Sequence, residues 1–449
     1  MQPRRPLGLS FRFIPAIVAV LLGAFCFPVA FAAADLMITG IVSDSEGKPI
    51  ANAIVMVYHA GPTTGYSLFC PSCYADCGKR AITDSNGMFA FHHLSADLWF
   101  DLLVASSGYE PKFVEKVVPR SDLPVATTLG ARPEVSDSGR IFRGRIVDSS
   151  GLRQRDAVVQ LLGELWNTKT GPHSSYHGGS ATPGLDPVAV TDGNGDFEID
   201  AFSPGAAPLK ILVSVEARGM AQTLSVIHAG LDRQATTVTP GAVVRGRLVQ
   251  GGKPVGGVEV GLFGNPPATW RDNFEISGNP YPEIRIGTRP DGTFEITGVP
   301  VPEKWYVYAK MQSVATRGAT GSVACVAKRD NEVVDVGDLE LKPAYHLRGR
   351  VVLSDDQPIA NGMKITVKSE KAFDFQTATL PPNGRFEFVG LAAGNYLIWA
   401  SVKGYSPPPM APVSSKDKDG RVFMYTPGPP PVPIEHDVDD FVIKLHPDK

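Results

Sequence analysis

The chain has 449 residues, with 43 lysines and arginines against 46 aspartates and glutamates, so its formal net charge is −3. Nucleic-acid-binding proteins usually carry an excess of positive charge, and acidic disordered tails carry an excess of negative charge. The nearly balanced charge of this chain indicates neither. The length exceeds what one ordinary hydrophobic core accommodates, and it predicts two to four domains.

Residues 1–34 have the layout of a secretory signal peptide. An arginine-containing start precedes an apolar run from Ile14 to Phe31, and small residues allow cleavage near Ala32 or Ala34. A lipid anchor at Cys26 is the alternative, but the bulky residue before it fits lipoprotein processing poorly. No later stretch offers the roughly 18 apolar residues that a membrane-spanning helix needs. We therefore expect a secreted or periplasmic protein without a membrane span after cleavage.

Four similar segments follow at a regular spacing. Each contains a glycine within a short β-prone run, and these glycines are Gly40, Gly144, Gly246 and Gly349. They are separated by 104, 102 and 103 residues. Regular spacing of this kind is typical of tandem structural repeats, so it predicts modules of about a hundred residues each.

A second motif recurs within every repeat. It combines a tight-turn Asn-Gly, Asp-Gly or Gly-Asn-Gly with a following phenylalanine and alternating apolar residues, in residues 83–91, 191–199, 289–296 and 381–388. Such turns supply the positive φ angles that a β-hairpin needs, and the alternation is typical of strands. Helical periodicity is missing, so the sequence predicts an antiparallel β-sandwich in each module.

The order of these motifs resembles the carboxypeptidase regulatory-like domain family, which has a transthyretin-like (prealbumin-like) sandwich of seven strands. The first repeat carries the resemblance through Gly40, Asp44, Gly47, Pro49, Ile50, Ala53, Thr83, Asp84, Gly87, Phe89, Phe91 and Leu94. The fourth carries it through Gly349, Pro358, Ile359, Gly384, Phe386, Phe388, Leu391, Gly394, Tyr396, Gly404 and Tyr405. The second repeat lacks the Pro-Ile turn and the third lacks the Gly-Tyr ending. The resemblance implies a fold and transfers no catalytic residue.

We therefore expect an all-β protein made of four tandem antiparallel β-sandwich modules of this type. The expected limits are 1–34 for the signal peptide, 35–132 for module 1, 140–239 for module 2, 242–342 for module 3 and 345–449 for module 4.

Three cysteines, Cys70, Cys73 and Cys77, interrupt module 1 between its second strand and its hairpin. In an oxidising compartment a disulfide within this cluster is the favoured interpretation. Zinc bound by the three thiolates and one histidine, His59, His92 or His93, is an alternative, and a thioredoxin-type redox role is another. Cys325 is interpreted as a small buried strand residue.

Other candidate chemistry is sparse. The run Asp192-x-Asn194-x-Asp196 imitates a calcium loop, but the sixth position is not glycine and the twelfth is not glutamate, which favours a plain turn. His173 and His177 are four residues apart, so both could bind one metal ion only if they lay on the same face of a helix. Their Gly/Ser-rich segment does not favour a helix. No nucleophile elbow, zinc-protease motif or phosphate loop occurs. We expect no cofactor and no catalytic residue.

Exposed aromatic rings in sandwich loops can stack on sugar rings. Trp166, Trp270 and Tyr281 lie in predicted long polar loops and are the candidate ligand-binding residues, although they could instead pack back on the sandwich. Trp99, Trp305 and Trp399 lie in predicted strands and are expected in the core. The resemblance to a fold class that includes starch-binding modules adds to the hypothesis of carbohydrate binding.

The sequence thus predicts an exported, non-catalytic scaffold or ligand-binding protein, with a glycan or another cell-surface component as its partner and no nucleic acid. The alternative is a redox-linked or metal-linked protein, or an enzyme of unrecognised type, centred on Cys70 to Cys77.

Overall fold

The computed structural model describes residues 37–67, 74–120, 123–132, 141–168, 171–176, 187–200, 209–264, 283–301, 303–314, 317–408, 413–416, 422–425 and 430–448. Across these ranges the fold is all-β, with a single short helix, and the strands form four tandem β-sandwiches. The predicted fold class is confirmed. In the described ranges no helix is long and apolar enough to cross a membrane.

Module 1 has a three-stranded sheet in the order β4-β1-β7 facing a four-stranded sheet in the order β3-β2-β5-β6. Its strands are β1 (Ile38–Asp44), β2 (Ile54–Pro62), β3 (Arg80–Ile82), β4 (Met88–Phe91), β5 (Leu98–Ala105), β6 (Lys112–Val117) and β7 (Val125–Leu129).

Module 2 pairs a sheet of order β12-β8-β15 with one of order β10-β9-β13-β14, to which β11 adds through β9. Its strands are β8 (Ile141–Asp148), β9 (Val158–Thr168), β10 (Gly171–Tyr176), β11 (Val188–Val190), β12 (Asp196–Asp200), β13 (Lys210–Glu216), β14 (Thr223–His228) and β15 (Gln234–Val238).

Module 3 places β17-β16-β20, with β23 also on β16, against β19-β18-β21-β22. Its elements are β16 (Ala242–Gln250), β17 (Lys253–Pro254), β18 (Glu259–Gly264), β19 (Ile284–Gly287), β20 (Thr293–Val299), β21 (Glu303–Ala309), helix α1 (Met311–Val314), β22 (Val323–Ala327) and β23 (Val333–Glu340).

Module 4 places β27-β24-β33-β29 against β26-β25-β28-β32 and adds a β30-β31 hairpin. Its strands are β24 (Tyr345–Leu353), β25 (Lys364–Ser369), β26 (Phe375–Thr379), β27 (Arg385–Leu391), β28 (Gly394–Ser401), β29 (Tyr405–Ser406), β30 (Val413–Lys416), β31 (Val422–Tyr425), β32 (Val432–Ile434) and β33 (Val438–Pro447).

One strand pair in each sandwich is parallel. The first strand of every module pairs antiparallel with the hairpin strand on one side and parallel with a late strand on the other, as in β1 with β7, β8 with β15, β16 with β23 and β24 with β33. The other pairs of named strands in the described residues are antiparallel, in agreement with the predicted fold class. A parallel partner must return from the far end of the module, so it leaves no local turn motif in the sequence.

The recurring glycine and the recurring phenylalanine are explained by one contact. A Cβ on Gly40, Gly144, Gly246 or Gly349 would lie 2.5, 2.5, 2.7 or 2.9 Å from the ring Cζ of the hairpin phenylalanine of the same module. Those phenylalanines are Phe89, Phe197, Phe294 and Phe386, and all four are buried. The glycine is required because the ring lies directly over the strand backbone.

Ion pairs cover the outer face of the sheet that contains the first strand of modules 2 to 4. Arginines on either side of the recurring glycine reach carboxylates on the neighbouring strands, with distances of 2.6 Å for Arg145 to Asp196 and 2.8 Å for Arg247 to Asp338. Module 1 has Ile41 paired with Met88 in the equivalent place. Exposed pairs of this kind contribute little to stability, but they keep the face hydrated.

Neighbouring modules pack against one another. The outer face of the four-stranded sheet of module 1 forms a hydrophobic cluster with module 2, in which Met56, Tyr58 and Leu103 meet Val158 and Val188. In the same way Leu162, Leu212 and Leu224 of module 2 join the core cluster of module 3. Sheet faces are therefore buried between neighbouring modules.

Modules 1 and 4 also touch, although they are farthest apart in sequence. The amide of Tyr66 donates a hydrogen bond to the carbonyl of Gly362 at 3.0 Å, and Tyr66 forms a parallel bridge with Met363. Gly65 and Gly362 have φ angles of 84° and 80°, and a Cβ on Gly362 would lie 2.5 Å from the Cα of Gly65. We call this backbone contact the glycine latch.

Candidate functional site

A buried charge cluster joins modules 3 and 4. The Glu283 side chain is only 2% exposed, and it accepts hydrogen bonds from Lys310 Nζ at 2.9 and 3.0 Å, from Arg285 Nε at 2.6 Å and from the Tyr308 hydroxyl. Lys310 also donates to the carbonyl of Phe373 at 2.8 Å. Buried carboxylates are stable only when paired and hydrogen-bonded, so Glu283 fixes the arrangement of its partners.

The same cluster reaches module 1. Arg285 Nη2 donates to the carbonyl of Ala75 at 2.5 Å, in the turn that contains Cys77. Glu283 thereby links three modules through two cationic side chains. We define Glu283, Arg285, Lys310, Tyr308 and Asp374 as the junction cluster.

Asp374 completes the cluster from module 4. Its Oδ2 accepts the amide of Met311 at 2.8 Å, and its Oδ1 lies 3.4 Å from Lys310 Nζ without receiving a hydrogen bond. Burial raises the pKa of Asp374 to about 6, and the Lys310 ammonium opposes that rise. The carboxyl group is therefore charged at neutral pH but takes up a proton more readily than a surface aspartate.

A cavity of about 270 Å³ opens beside the cluster, and we call it the junction cavity. Module 3 contributes Met311, Thr320 and Gly321 to its wall, and module 4 contributes Asp374, Asn395 and Tyr396. The wall thus combines small residues, one aromatic ring and a buried carboxylate, which are the components of a small polar binding site.

Two buried carboxyl groups are expected to make the protein more stable at mildly acidic pH than at neutral pH. Burial raises the pKa of Asp374 from 3.8 to about 6 and that of Glu303 from 4.5 to about 7. The folded state therefore binds protons that the unfolded chain has released, so the free energy of unfolding should rise by on the order of 2 kcal/mol between about pH 7 and pH 5. Urea unfolding at both pH values measures this.

The control for this experiment is the double variant Glu303→Gln, Asp374→Asn, whose unfolding free energy should vary less over the same range. At still lower pH the trend should reverse, because carboxylates such as Asp196, whose pKa is lowered by its hydrogen bond to Arg145, then lose their partners. An unchanged pH slope in the double variant would contradict the assignment.

The structure places only part of the predicted cysteine cluster. Cys70 and Cys73 lie outside the described residues, so the disulfide, zinc and redox interpretations stay predictions. Cys77 is half-buried and packs against the core of module 1. His92 and His93 are exposed, whereas His59 lies in β2 with Nδ1 3.5 Å from Asp101. Cys325 lies in β22 and is 7% exposed, as expected, and burial raises its pKa to about 11.

The aromatic candidates are also only partly described. Trp270 and Tyr281 lie outside the described residues. Trp166 was expected in a loop, but it lies in β9, half-buried and in register with His173 of β10. The polar residues around it belong to this long strand, which continues to Thr168. Trp305 is fully buried as expected, while Trp99 and Trp399 are half-buried.

The Asp192 turn is a hairpin, as the sequence favoured. Asp192 Oδ1 accepts the amides of Asn194 at 2.8 Å and Asp196 at 2.9 Å, so its carboxylate serves the turn itself. His173 lies in a strand, whereas His177 is outside the described residues. In the part of the chain that the structure describes, no group of three or more potential ligands could hold a metal ion.

Comparison with known proteins gives partial matches. A stretch of 115 residues, 24% of this chain, is 29% identical to serine-aspartate repeat-containing protein F of Staphylococcus epidermidis. A stretch of 188 residues, 39% of this chain, is 26% identical to serine-aspartate repeat-containing protein D of Staphylococcus aureus strain Newman. The matches span only 7% and 14% of those relatives. No protein-family model matches, so the resemblance to the carboxypeptidase regulatory-like family is not confirmed.

Solved structures align at low similarity. The Bacillus anthracis TIE protein covers 92% of this chain and 74% of its own, with 10% identity and a TM-score of 0.18. A streptococcal ancillary pilin covers 69% of this chain and 99% of its own, with 13% identity and a TM-score of 0.20. Similarity at this level gives no information about the function of this chain.

Proposed function

We propose that this protein is an exported, non-catalytic scaffold whose four sandwiches act as one docked unit and which binds carbohydrate. The observation that carries the proposal is the docking of the modules through buried side chains, above all the junction cluster that ties modules 1, 3 and 4 together. Carboxylates within it are held by cations and amides of the protein, an arrangement suited to fixing modules in place. The amino-terminal signal-peptide pattern supports export.

The carbohydrate part of the proposal rests on aromatic side chains. Trp166 is half-buried at the extended end of β9, so one part of its indole is held by the protein and the rest is available for stacking. Trp270 and Tyr281 remain candidates from the sequence alone. A scaffold of this type would present such rings at fixed separations, which favours extended glycans over single sugars.

A glycan array with the mature protein tests this. We expect binding to at least one glycan class, and we expect Trp166→Ala to weaken it about fivefold, since an aromatic contact contributes on the order of 1 kcal/mol. Trp270→Ala is measured alongside. Trp399→Ala, which removes a half-buried indole from β28 of module 4, is the matched control and should bind normally. No binding by the parent protein would overturn the carbohydrate assignment.

A further inference from the structure

Strand β22 (Val323–Ala327) is an open sheet edge in module 3. Among the described residues it pairs with β21 alone, and its backbone makes none of the turn or loop hydrogen bonds found elsewhere in them. Edge strands are usually blocked by charged side chains, proline or a bulge, because an open edge accepts another strand. β22 has no charged residue and no proline, and it pairs with β21 without a register shift, so it lacks these protections.

The alternation along β21 shows which of its backbone groups face β22. The Lys310 amide donates to the carbonyl of Glu259 in β18 at 2.9 Å, whereas the Ala309 amide donates to the Thr320 hydroxyl on the β22 side at 2.8 Å. Successive residues of a strand direct their N–H and C=O groups to opposite sides. The odd-numbered residues of β21 therefore face β22, and the even-numbered residues face β18.

The same alternation leaves two residues of β22 with open backbone groups. Cys325 lies opposite an odd-numbered residue of β21, so it directs its N–H and C=O to that strand. Its neighbours Ala324 and Val326 therefore direct theirs to the open edge. This stretch ends at Lys328, whose amide donates to the Glu332 carboxylate at 2.9 Å. Two N–H and two C=O groups thus remain available to a further strand.

The side chains along this edge favour burial. Val323 is 37% exposed and Val326 is 47% exposed, and Ala324 is exposed between them. Tyr306, which lies opposite Ala324 in β21, is only half-buried and continues the outer face. Strand addition buries apolar side chains while main-chain hydrogen bonds form, so this edge has both features that it requires.

A second copy of β22 fits this edge. In an antiparallel pair centred on Cys325, Ala324 of one chain lies opposite Val326 of the other, so each small side chain meets a larger one. Both residues direct their backbone groups outward, so the two pairs form four hydrogen bonds between the chains.

The charges near the edge also permit this pairing. Lys328 of one chain lies opposite Ser322 of the second copy, so no like charges face each other. The two Lys304 side chains, which follow from the register of β21 with β22, lie three strands apart. That separation is about 14 Å, which exceeds the screening length of about 8 Å at physiological ionic strength.

We propose that β22 joins two copies of this chain through an antiparallel β22–β22 pair, which merges two four-stranded sheets of module 3 into one sheet of eight strands. The two-fold axis passes at Cys325, so the contact is complete in a dimer. Because few residues of each chain take part, we expect a reversible dimer with a dissociation constant on the order of 10–100 μM. This inference is independent of carbohydrate binding.

Sedimentation velocity of the mature protein, from well below to well above that dissociation constant, tests the proposal. We expect the sedimentation coefficient to rise from that of a monomer to that of a dimer. Val326→Pro removes an outward amide, and the two-fold symmetry deletes two hydrogen bonds between the chains at once. The dissociation constant should therefore rise at least about thirtyfold. Val326→Thr keeps the amide and the branched shape, so this matched control should dimerise like the parent.

Hydrogen exchange gives a second measurement that needs no variant. A peptide that contains Ala324 and Val326 should exchange more slowly as the protein concentration rises through the dissociation constant, because the open amides become bonded in the dimer. A peptide from the edge strand β6 (Lys112–Val117), which has charged side chains, should exchange at the same rate throughout.

Thermal unfolding verifies that each variant is folded, and Ala324→Pro takes the place of Val326→Pro if the latter does not fold. A parent protein that is still monomeric at about 500 μM would overturn the proposal. So would a dimer that persists in a folded proline variant. Slow exchange at Ala324 and Val326 that does not depend on concentration would also overturn it, because another segment of the same chain would then cover the edge.

Discussion

Lys310→Met is expected to lower the free energy of unfolding by about 3–5 kcal/mol, the usual result of removing one partner from a buried ion cluster. The Lys310 side chain is 9% exposed and contacts Glu283, Asp374 and the carbonyl of Phe373. Methionine keeps most of the volume but leaves two buried carboxylates with Arg285 as their remaining cation. Chemical denaturation of the parent and the variant measures the difference.

The matched control for this variant is Arg247→Met, which removes a cation from the exposed pair with Asp338 and should change stability little. Adding Glu283→Gln and Asp374→Asn to Lys310→Met should recover part of the loss, because the uncompensated charges are then gone. A loss no larger than that of Arg247→Met would show that the junction cluster does not hold modules 3 and 4 together.

Gly65→Ala is expected to open the glycine latch and separate module 1 from module 4. A methyl group on Gly65 would overlap the backbone carbonyl of Gly362, and neither backbone segment has a flexible side chain that could move aside. The amide of Tyr66 would lose its hydrogen bond to Gly362. We expect faster hydrogen exchange in a peptide that contains Tyr66 and a larger radius of gyration in solution scattering.

Gly47→Ala is a closely matched control. Gly47 belongs to the same module and has a φ of 81°, against 84° for Gly65, but no atom lies within 4 Å of its Cβ. Both variants therefore carry the same left-handed backbone penalty of about 1–2 kcal/mol, and only Gly65→Ala adds the clash. Equal exchange at Tyr66 in the two variants would disprove the latch.

The sandwich repeat was predictable because its determinants are local. A glycine on the first strand and a phenylalanine after a tight turn form one contact, and both lie within about fifty residues of each other in every module. The hairpin turns are equally local, since Asp84 and Asp192 each accept hydrogen bonds from the amides two and four residues ahead. Such features survive in the sequence as fixed spacings.

The arrangement between modules was not predictable from the same signals. The parallel partner of each first strand and the contact of Tyr66 with Gly362 join residues that no turn motif connects. Docking of one module on another depends on which sheets have an apolar outer face in addition to the apolar face that packs inside the sandwich. In β2 both faces are apolar, so residues 54–58 form a continuous apolar run instead of alternating with polar residues. This run is the feature of the sequence that indicates a sheet buried on both faces.

The junction cluster was missed because its members look ordinary in the sequence. Lys310 directly follows the apolar strand β21, and Glu283 lies in a segment that carries no motif. A charged residue at the end of an apolar strand is usually solvated, so only the approach of module 4 makes Lys310 exceptional. Trp166 was wrongly predicted in a loop, because the polar residues next to it do not indicate the long strand β9 in which it lies.

The junctions between modules are of three chemical kinds. Modules 1 and 2, like modules 2 and 3, meet through apolar side chains, modules 3 and 4 meet through buried charges, and modules 4 and 1 meet through the backbone at two glycines. Near-copies in tandem risk pairing with the wrong neighbour as they fold. Here pairing module 4 with an apolar sheet face of module 1 or 2 would place buried charges against that face, and pairing a side chain with the glycine latch would produce a clash, so these junctions disfavour wrong pairings.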